Sequence, residues 1–169
     1  YPVNLDLQER KCLVVGGGNV AERKARSLLA CGAVVTVVSP VLTQRMCGLV
    51  RKGRVVYIKR GYQRTDLKGA FLVIAATDNM EVNMLVARHA AGRNILVNVV
   101  DLPQLCNFIV PSVIRQGPLV MGISTSGQSP LFARNLRIKC EKCVTPGYGA
   151  FIQMLGDCRK EVQGRYDTI

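Results

Sequence analysis

The amino-acid sequence predicts an α/β fold, and three observations support this prediction. Short apolar runs alternate with helical patterns along the first part of the chain, and the first run ends in the triplet Gly16-Gly17-Gly18. Beyond Pro103, strand-like runs follow one another without helices between them. Strands that alternate with helices form a parallel sheet joined by right-handed crossovers. We therefore predict a Rossmann-like parallel sheet, followed by a small α+β lobe and the start of a helical C-terminal region.

Five short apolar segments predict the buried strands of this sheet, because parallel strands are covered on both faces. They are residues 12–15, 34–38, 55–58, 71–76 and 95–100. Apolar residues at helical spacing predict helices at 19–31, 42–51 and 79–91. Gly32 is expected to end the first helix, since glycine commonly follows a helix C-terminus.

The second part of the chain predicts a different arrangement. Residues 108–110, 113–115 and 119–124 read as strands, with the turn 116–118 joining the last two. Ser129 and Pro130 open a predicted helix that runs to about residue 142, and another helix is predicted at 148–163. A lone hairpin is only marginally stable, so we expect this lobe to pair with a second subunit. The predicted domains are residues 1–112, a dimerisation lobe at 113–145 and a helical segment at 146–169.

The charge balance of the chain indicates what kind of molecule the protein could bind. Lysine and arginine number 23 against 11 acidic residues, which gives a net charge of +12. This excess indicates either a polyanionic partner or a basic surface that is simply solvated. The basic residues form no continuous block of the kind that binds nucleic acid, so nucleic acid is not an expected partner.

The cysteine content and the hydropathy of the sequence indicate the cellular compartment of the protein. The sequence has seven cysteines, an odd number, and the first residues carry no secretory pattern. We therefore expect reduced thiols in the cytoplasm. No apolar run approaches the roughly 20 residues that a membrane span needs, so we expect no membrane association.

The glycine triplet carries the strongest functional signal. Gly16, Gly18 and Ala21 match the pattern G-x-G-x-x-A, after a predicted strand and at the start of a predicted helix. The first glycine permits a tight turn, the second lets a pyrophosphate approach the backbone, and the third position allows close helix–sheet packing. We predict that Gly16, Gly17 and Gly18 bind the pyrophosphate of NAD at the helix N-terminus. The alternative is a glycine turn that binds no ligand.

Two further strand ends offer cofactor contacts. Ser39 follows the second strand, where dinucleotide folds often place an acidic residue on the ribose, so NAD and NADP are not distinguished by this residue. Ala76 and Thr77 lie at the C-terminal end of the fourth strand, where a small residue and a hydroxyl could contact a cofactor ring. The alternative is that Thr77 or Asp78 caps the next helix.

The end of the fifth strand carries the candidate catalytic group. Asn98 and Val99, which we predict to contact the cofactor, lead to Asp101, at the same edge of the sheet as the glycine triplet. A carboxylate there could accept a proton from a substrate while a hydride passes to the nicotinamide. The alternative is that Asp101 is a turn residue before Pro103.

A hydroxyl-rich loop in the second lobe is the candidate substrate site. Ser124, Thr125, Ser126 and Gly127 precede a helix N-terminus, a geometry that favours anions, and Arg134 lies on the following basic helix. A merely solvated helix is the alternative.

Potential metal ligands are few. The single histidine, His89, lies late in a predicted helix, and Cys140 and Cys143 form a lone C-x-x-C without a partner at zinc-site spacing. We assign His89 a surface role and predict no metal ligands.

Several motifs, taken in order, resemble those of the precorrin-2 dehydrogenase family, which also supplies the N-terminal module of sirohaem synthases. The resemblance runs from Tyr1 to about residue 163. Its motifs are residues 15–24 (VGGGNVAERK), 75–78 (AATD), 98–101 (NVVD), 108–112 (FIVPS) and 126–130 (SGQSP).

The resemblance implies NAD-dependent oxidation of precorrin-2 to sirohydrochlorin in sirohaem synthesis, by a homodimer whose second lobe forms the interface. It implies that Asp101 is the essential aspartate, and that Asn19, Val20, Pro40 and Val41 contact NAD. The implied substrate is a tetrapyrrole with many carboxylates, which gives the positive charge a specific partner. Some members also insert Fe²⁺ into sirohydrochlorin, so this activity is a further hypothesis.

A different class of protein shares the glycine turn. An NAD-binding regulatory or sensor module would bind the dinucleotide without turnover and would need no proton acceptor at the fifth strand. Asp101 distinguishes the two, because its loss would abolish turnover in an enzyme and leave NAD binding largely intact.

Overall fold

A computed structural model describes residues 2–166 of the chain. Two compact units divide it, Tyr1–Phe108 and Ile109–Ile169. Tyr1 and residues 167–169, which belong to the predicted domains 1–112 and 146–169, lie outside the described residues. The predicted domain bounds, 1–112, 113–145 and 146–169, stay a prediction.

The first unit contains the predicted parallel sheet. Its strands are β1 (Lys11–Val15), β2 (Val34–Val38), β3 (Val55–Ile58), β4 (Leu72–Ala75) and β5 (Leu96–Val99). All neighbours are parallel, and the spatial order is β3-β2-β1-β4-β5. The chain moves outward from β1 in one direction and then returns to build on its other side. Such a reversal leaves a crevice at the carboxyl ends of β1 and its neighbours, which is where open α/β sheets bind ligands.

Three helices connect these strands, and their starts follow local sequence. They are α1 (Asn19–Ala30), α2 (Gln44–Arg51) and α3 (Met80–Ala91). Thr43 caps α2 by accepting a hydrogen bond from the Met46 N–H, and Asn79 caps α3 by accepting one from the Val82 N–H. Gly32 follows α1 with φ +77°, a conformation that glycine adopts readily. Two short 3₁₀ turns, Arg64–Leu67 and Pro103–Leu105, complete the unit.

The core lies on both faces of the sheet. Alternate residues of β1 belong to opposite clusters, with Cys12 and Val14 on the α1 face and Leu13 and Val15 on the α3 face. These four side chains are almost completely buried. Burial on both faces explains why β1 is a continuous apolar run rather than an alternating one.

The second unit pairs a hairpin with two helices. The antiparallel strands β6 (Ser112–Gln116) and β7 (Leu119–Ile123) meet at the predicted turn, and α4 (Pro130–Glu141) and α5 (Gly147–Tyr166) follow. Ser129 caps α4 as predicted, because its hydroxyl accepts from the Phe132 N–H. Gly149 packs against the hairpin turn, where an added Cβ would lie 2.8 Å from the Gln116 carbonyl oxygen.

One predicted strand is wrong. Residues 108–110 form no strand, and Ile109 and Val110 are exposed. β-branched residues favour extended backbone, but a strand also needs a partner whose N–H and C=O groups complete a ladder. No helix within residues 2–166 has the length and apolarity to cross a membrane.

Candidate functional site

The glycine turn links β1 to α1, and its first position accommodates only glycine. Gly16 has φ +122°, and an added Cβ would lie 2.2 Å from the Ala76 carbonyl oxygen. Its N–H donates to the Val38 carbonyl at 2.9 Å, while the Ala76 N–H donates to the Val15 carbonyl at 2.8 Å. The turn is therefore held between the ends of β2 and β4, with no room for a side chain at Gly16.

The next two glycines differ in their surroundings. An added Cβ at Gly17 would lie 1.9 Å from the Val41 carbonyl oxygen, so this glycine is required by packing. Gly18 has φ −79°, and an added Cβ there would meet no atom within 4 Å. Gly18 is also the N-cap of α1 and has no side chain to satisfy the first N–H groups of the helix.

The space beside Gly18 fits the phosphates of a dinucleotide. Asn19 and Val20 are the first two residues of α1, so their backbone lies at the positive end of the helix. Open space, an uncapped helix end and a glycine N-cap are what an approaching pyrophosphate needs. The predicted residues Gly16, Gly17, Gly18, Asn19 and Val20 thus lie together at one turn.

The end of β2 is arranged differently from the sequence expectation. Ser39 is buried, and its hydroxyl donates to the Val41 carbonyl at 2.7 Å, so its proton is already used within the protein. The Tyr57 hydroxyl donates to the Pro40 carbonyl at 3.3 Å, and the Val41 side chain is 75 % exposed. The Ser39 oxygen can still accept a hydrogen bond from a ribose hydroxyl, and the exposed Val41 can pack against a base.

A buried acidic residue that sequence analysis did not single out supports the turn. Glu22 is only 6 % exposed, and it accepts hydrogen bonds from the Thr43 hydroxyl at 2.7 Å and from Arg26 Nε at 3.0 Å. The hydrogen bond from Thr43 holds the pKa of Glu22 below its usual value. The Thr43 N–H also donates to the Gly17 carbonyl at 2.9 Å. Glu22 and Thr43 therefore connect α1, the glycine turn and the start of α2.

The end of β4 holds a closed hydrogen-bond network. The Thr77 hydroxyl lies 2.7 Å from Asn83 Oδ1 and 2.9 Å from the Asn79 carbonyl oxygen, and it accepts from the Asn79 N–H. The hydroxyl predicted to contact the cofactor ring is therefore already engaged. The alternative that Thr77 or Asp78 caps α3 is wrong, because the cap is Asn79. Ala76 remains next to Gly16, as the predicted site requires.

The turn after β5 displays Asp101. This residue is exposed and has φ +61°, a left-handed conformation that costs energy for a residue other than glycine. Across residues 2–166 its carboxylate has no hydrogen bond or ion pair. A strained, unpaired carboxylate at a sheet edge is typical of a functional position.

Side chains that follow Asp101 fasten this turn to β5. The Cys106 thiol accepts from the Val99 N–H at 3.1 Å and contacts the Leu102 carbonyl oxygen at 3.4 Å. The Asn98 amide donates to the Phe108 carbonyl at 3.1 Å. The predicted cofactor residues Asn98 and Val99 therefore help to hold the turn that carries Asp101. Sequence analysis missed Cys106, whose single thiol gave no motif.

The predicted substrate residues belong to the second unit. The Ser124 and Thr125 hydroxyls accept hydrogen bonds from the Ser126 and Ser129 N–H groups, at 3.1 and 3.0 Å. Gly127 has φ +84°, in keeping with a tight turn. Arg134 is exposed on α4. The structure brings these loop residues together, whereas all the cofactor residues and Asp101 lie in the first unit.

The remaining candidate residues are the potential metal ligands His89, Cys140 and Cys143. His89 Nδ1 lies 3.2 Å from the Tyr62 hydroxyl, and burial together with the nearby arginines lowers the pKa of His89. Cys140 and Cys143 are free thiols. Among residues 2–166, no group of three or more His, Cys, Asp and Glu side chains is arranged to hold a metal ion.

An open parallel sheet with an uncapped glycine turn at its first crossover defines a dinucleotide-binding protein of the Rossmann class. A family model described as "Putative NAD(P)-binding" matches residues 3–112. The solved structure named "SirC, precorrin-2 dehydrogenase" superposes with a TM-score of 0.79 at 31 % identity, covering 94 % of this chain and 78 % of that one. The chain belongs to the precorrin-2 dehydrogenase family of NAD(P)-binding proteins, and its cofactor is a nicotinamide dinucleotide.

Longer proteins also match. The sirohaem synthase of Methylobacillus flagellatus is 44 % identical over 167 residues, which is 99 % of this chain and 36 % of that protein. The sirohaem synthase of Photobacterium profundum is 44 % identical over 158 residues, which is 94 % of this chain and 34 % of that protein. The chain spans about a third of the length of these relatives.

Proposed function

We propose that this protein is an oxidoreductase of sirohaem biosynthesis that oxidises precorrin-2 to sirohydrochlorin with NAD⁺. One observation carries the proposal. This chain is 31 % identical to a precorrin-2 dehydrogenase, and its open glycine turn and unpaired aspartate lie at the carboxyl edge of one parallel sheet. Dinucleotide folds place their reaction centre at that edge.

The reaction removes a hydride and a proton from the tetrapyrrole, and NAD⁺ supplies the hydride acceptor when it is bound. Gly18, Asn19 and Val20 would hold the pyrophosphate, while Ser39 and Val41 would contact the adenosine. Asp101 accepts the proton, since an exposed carboxylate without a partner can take a proton without breaking an existing contact. The Cys106 and Asn98 hydrogen bonds keep the turn of Asp101 in place.

The choice of NAD⁺ over NADP⁺ is part of the proposal and rests on the family resemblance. Ser39 neither repels nor neutralises a 2′-phosphate, so the residue itself favours neither cofactor. The cytoplasm is the proposed compartment, in keeping with seven free thiols and no disulfide among the described residues.

A homodimer is the proposed assembly. Large apolar side chains are exposed on both helices of the second unit, among them Leu131, Phe132, Phe151, Met154 and Leu155. Exposed apolar residues at this density on two helices mark a surface that a partner covers. The positive charge of the chain suits a substrate with many carboxylates and calls for no nucleic acid or membrane.

Anaerobic incubation with precorrin-2 and NAD⁺ tests the proposal, with NADH absorbance and the sirohydrochlorin spectrum as readouts. We expect both to rise together, and Asp101→Asn to lower kcat at least a hundredfold while NAD⁺ binding is retained, since positioned proton transfer contributes about 10²–10⁴-fold. NAD⁺ binding without turnover in the wild type would instead support the sensor module. Full kcat in Asp101→Asn at all pH values would remove Asp101 as the base.

Iron insertion is a second candidate, favoured by relatives that carry the name sirohaem synthase. Fe²⁺ would replace two pyrrole N–H protons of sirohydrochlorin, and Asp101 could accept one of them. Anaerobic Fe²⁺ and sirohydrochlorin should then give sirohaem faster with the protein than without it. Equal rates would end this candidate.

A further inference from the structure

Lys24 has surroundings unlike those of any other lysine in the chain. The sequence has eight lysines, and seven of them are exposed on the surface. Lys24, in the second turn of α1, is half-buried. Lysine is seldom buried unless its ammonium has a partner.

The geometry of α1 shows which way Lys24 faces. The stripe that packs on the sheet consists of Ala21, Ala25 and Leu28. At about 100° per residue, Glu22 and Lys24 lie on opposite flanks of that stripe. Glu22 bonds to Thr43 on the side of β2 and α2, so Lys24 faces the other side, towards β4 and β5.

The electrostatics of Lys24 agree with this orientation. Burial and the neighbouring Arg23 lower the pKa of Lys24, whereas the charge of an ionised Cys106 raises it. That thiol is hydrogen-bonded to Val99 and Leu102, on either side of the Asp101 turn. Lys24 therefore lies on the flank of α1 that faces β4 and β5, and β5 is the strand that leads to the proposed catalytic carboxylate.

No anion within residues 2–166 neutralises this ammonium. Lys24 has neither a hydrogen bond nor an ion pair there, whereas Glu22 on the opposite flank is satisfied by Thr43 and Arg26. A charge that is partly removed from water without a partner is unfavourable. The position of Lys24 is therefore explained by an anionic group that arrives with a ligand.

We propose that Lys24 binds a carboxylate of the tetrapyrrole substrate and orients the ring system towards Asp101. The inference rests on the proposed function, which supplies a polycarboxylate at this edge of the sheet. A lysine ammonium suits the task because it acts as a compact point charge and does not demand a fixed planar geometry. Substrate binding, rather than proton transfer, is the step that Lys24 serves.

Three variants of the full chain test the role. Lys24→Met removes the charge and keeps an unbranched side chain, Lys24→Arg keeps the charge, and Lys59→Met removes an exposed lysine as the matched control. For Lys24→Met we expect the KM for precorrin-2 to rise about tenfold or more, the loss that one charge-assisted hydrogen bond represents. We expect its kcat to change less, its NAD⁺ Kd to be unchanged and its Tm to be equal or higher. Lys24→Arg should recover most of the KM, and Lys59→Met should match the wild type.

Other results would overturn the proposal. A weaker NAD⁺ Kd with an unchanged KM for precorrin-2 would show that the ammonium serves a cofactor phosphate. A lower Tm in both Lys24 variants, with no recovery in Lys24→Arg, would show a packing role. An equal rise in KM in Lys59→Met would show a general effect of net charge.

A binding measurement separates this proposal from the proposed function. Uroporphyrin III, a stable tetrapyrrole with many carboxylates, can be titrated by fluorescence into each variant without any turnover. About tenfold weaker binding in Lys24→Met alone would support the role of Lys24 even if precorrin-2 were not oxidised. Equal binding by all variants and the wild type would refute it even if precorrin-2 were oxidised.

Discussion

Replacing Gly18 with alanine separates cofactor binding from folding at the glycine turn. Gly18 has φ −79° and ψ −175°, which any residue adopts, and an added Cβ would meet no atom within 4 Å. Nothing in the folded chain therefore opposes the methyl group. Alanine restricts the unfolded chain but is a poorer N-cap than glycine, so the two effects oppose each other and the free energy of unfolding should change by no more than about 1 kcal/mol.

The same methyl group should weaken NAD⁺ binding. It would project into the open space beside the N-terminus of α1, where the pyrophosphate must approach the backbone. Displacing the phosphate would lengthen one charge-assisted hydrogen bond from a backbone N–H, which contributes about 1.5–3 kcal/mol. With 1.4 kcal/mol for each factor of ten, the Kd for NAD⁺ should rise roughly tenfold to a hundredfold.

Calorimetric titration with NAD⁺ and thermal unfolding of the same samples provide the two readouts. Gly48→Ala is the matched control, because Gly48 lies inside α2 and an added Cβ there also meets no atom within 4 Å. This control should bind NAD⁺ like the wild type. A wild-type Kd in Gly18→Ala, or a large fall in its Tm, would refute the reasoning.

Three further predictions concern the support of the turn. Gly16→Ala should destabilise the fold by more than about 1–3 kcal/mol, since φ +122° is strained for alanine and the Cβ also meets the Ala76 carbonyl; urea unfolding measures the loss. Thr43→Val should cost about 1–2 kcal/mol in the same assay, because it removes the cap of α2 and the hydrogen bond to Glu22, whereas Thr43→Ser should retain most of the stability. The folded-state pKa of Glu22 lies below its unfolded value, so its contribution to stability is present above the unfolded pKa and is lost as the pH falls through the folded pKa. The stability of Glu22→Gln, followed by urea unfolding from neutral to acidic pH, should therefore fall less than that of the wild type.

The sheet illustrates what local sequence predicts well. Each strand of the first unit is a short apolar run buried on both faces, so hydropathy alone locates β1 to β5 within one or two residues. The segment 108–110 has the same composition but forms no strand. Composition reports a tendency to be extended, whereas a strand exists only where another backbone is available to pair with it.

The candidate site also has some features that the sequence predicts and others that it does not. The glycine triplet and the position of Asp101 follow from motifs, because each motif is contiguous in the chain. The partners of Thr77 and Asn98 do not follow, since the hydroxyl and the amide are engaged by groups six and ten residues further along the chain that become neighbours on folding. Glu22 and Thr43 are 21 positions apart in sequence, yet one hydrogen bond joins them.

The sequence by itself determined the parallel α/β sheet, the glycine turn at its first crossover and the aspartate that follows its fifth strand. These features depend on short-range periodicity and on the steric demands of single residues, which can be read locally. Only the tertiary structure decided that Gly18 faces open space while Gly17 is covered, and that neither the Asp101 carboxylate nor the Lys24 ammonium has a hydrogen bond or ion pair among residues 2–166. Those properties depend on which distant groups share a neighbourhood, and the order of strands in the sheet settles that.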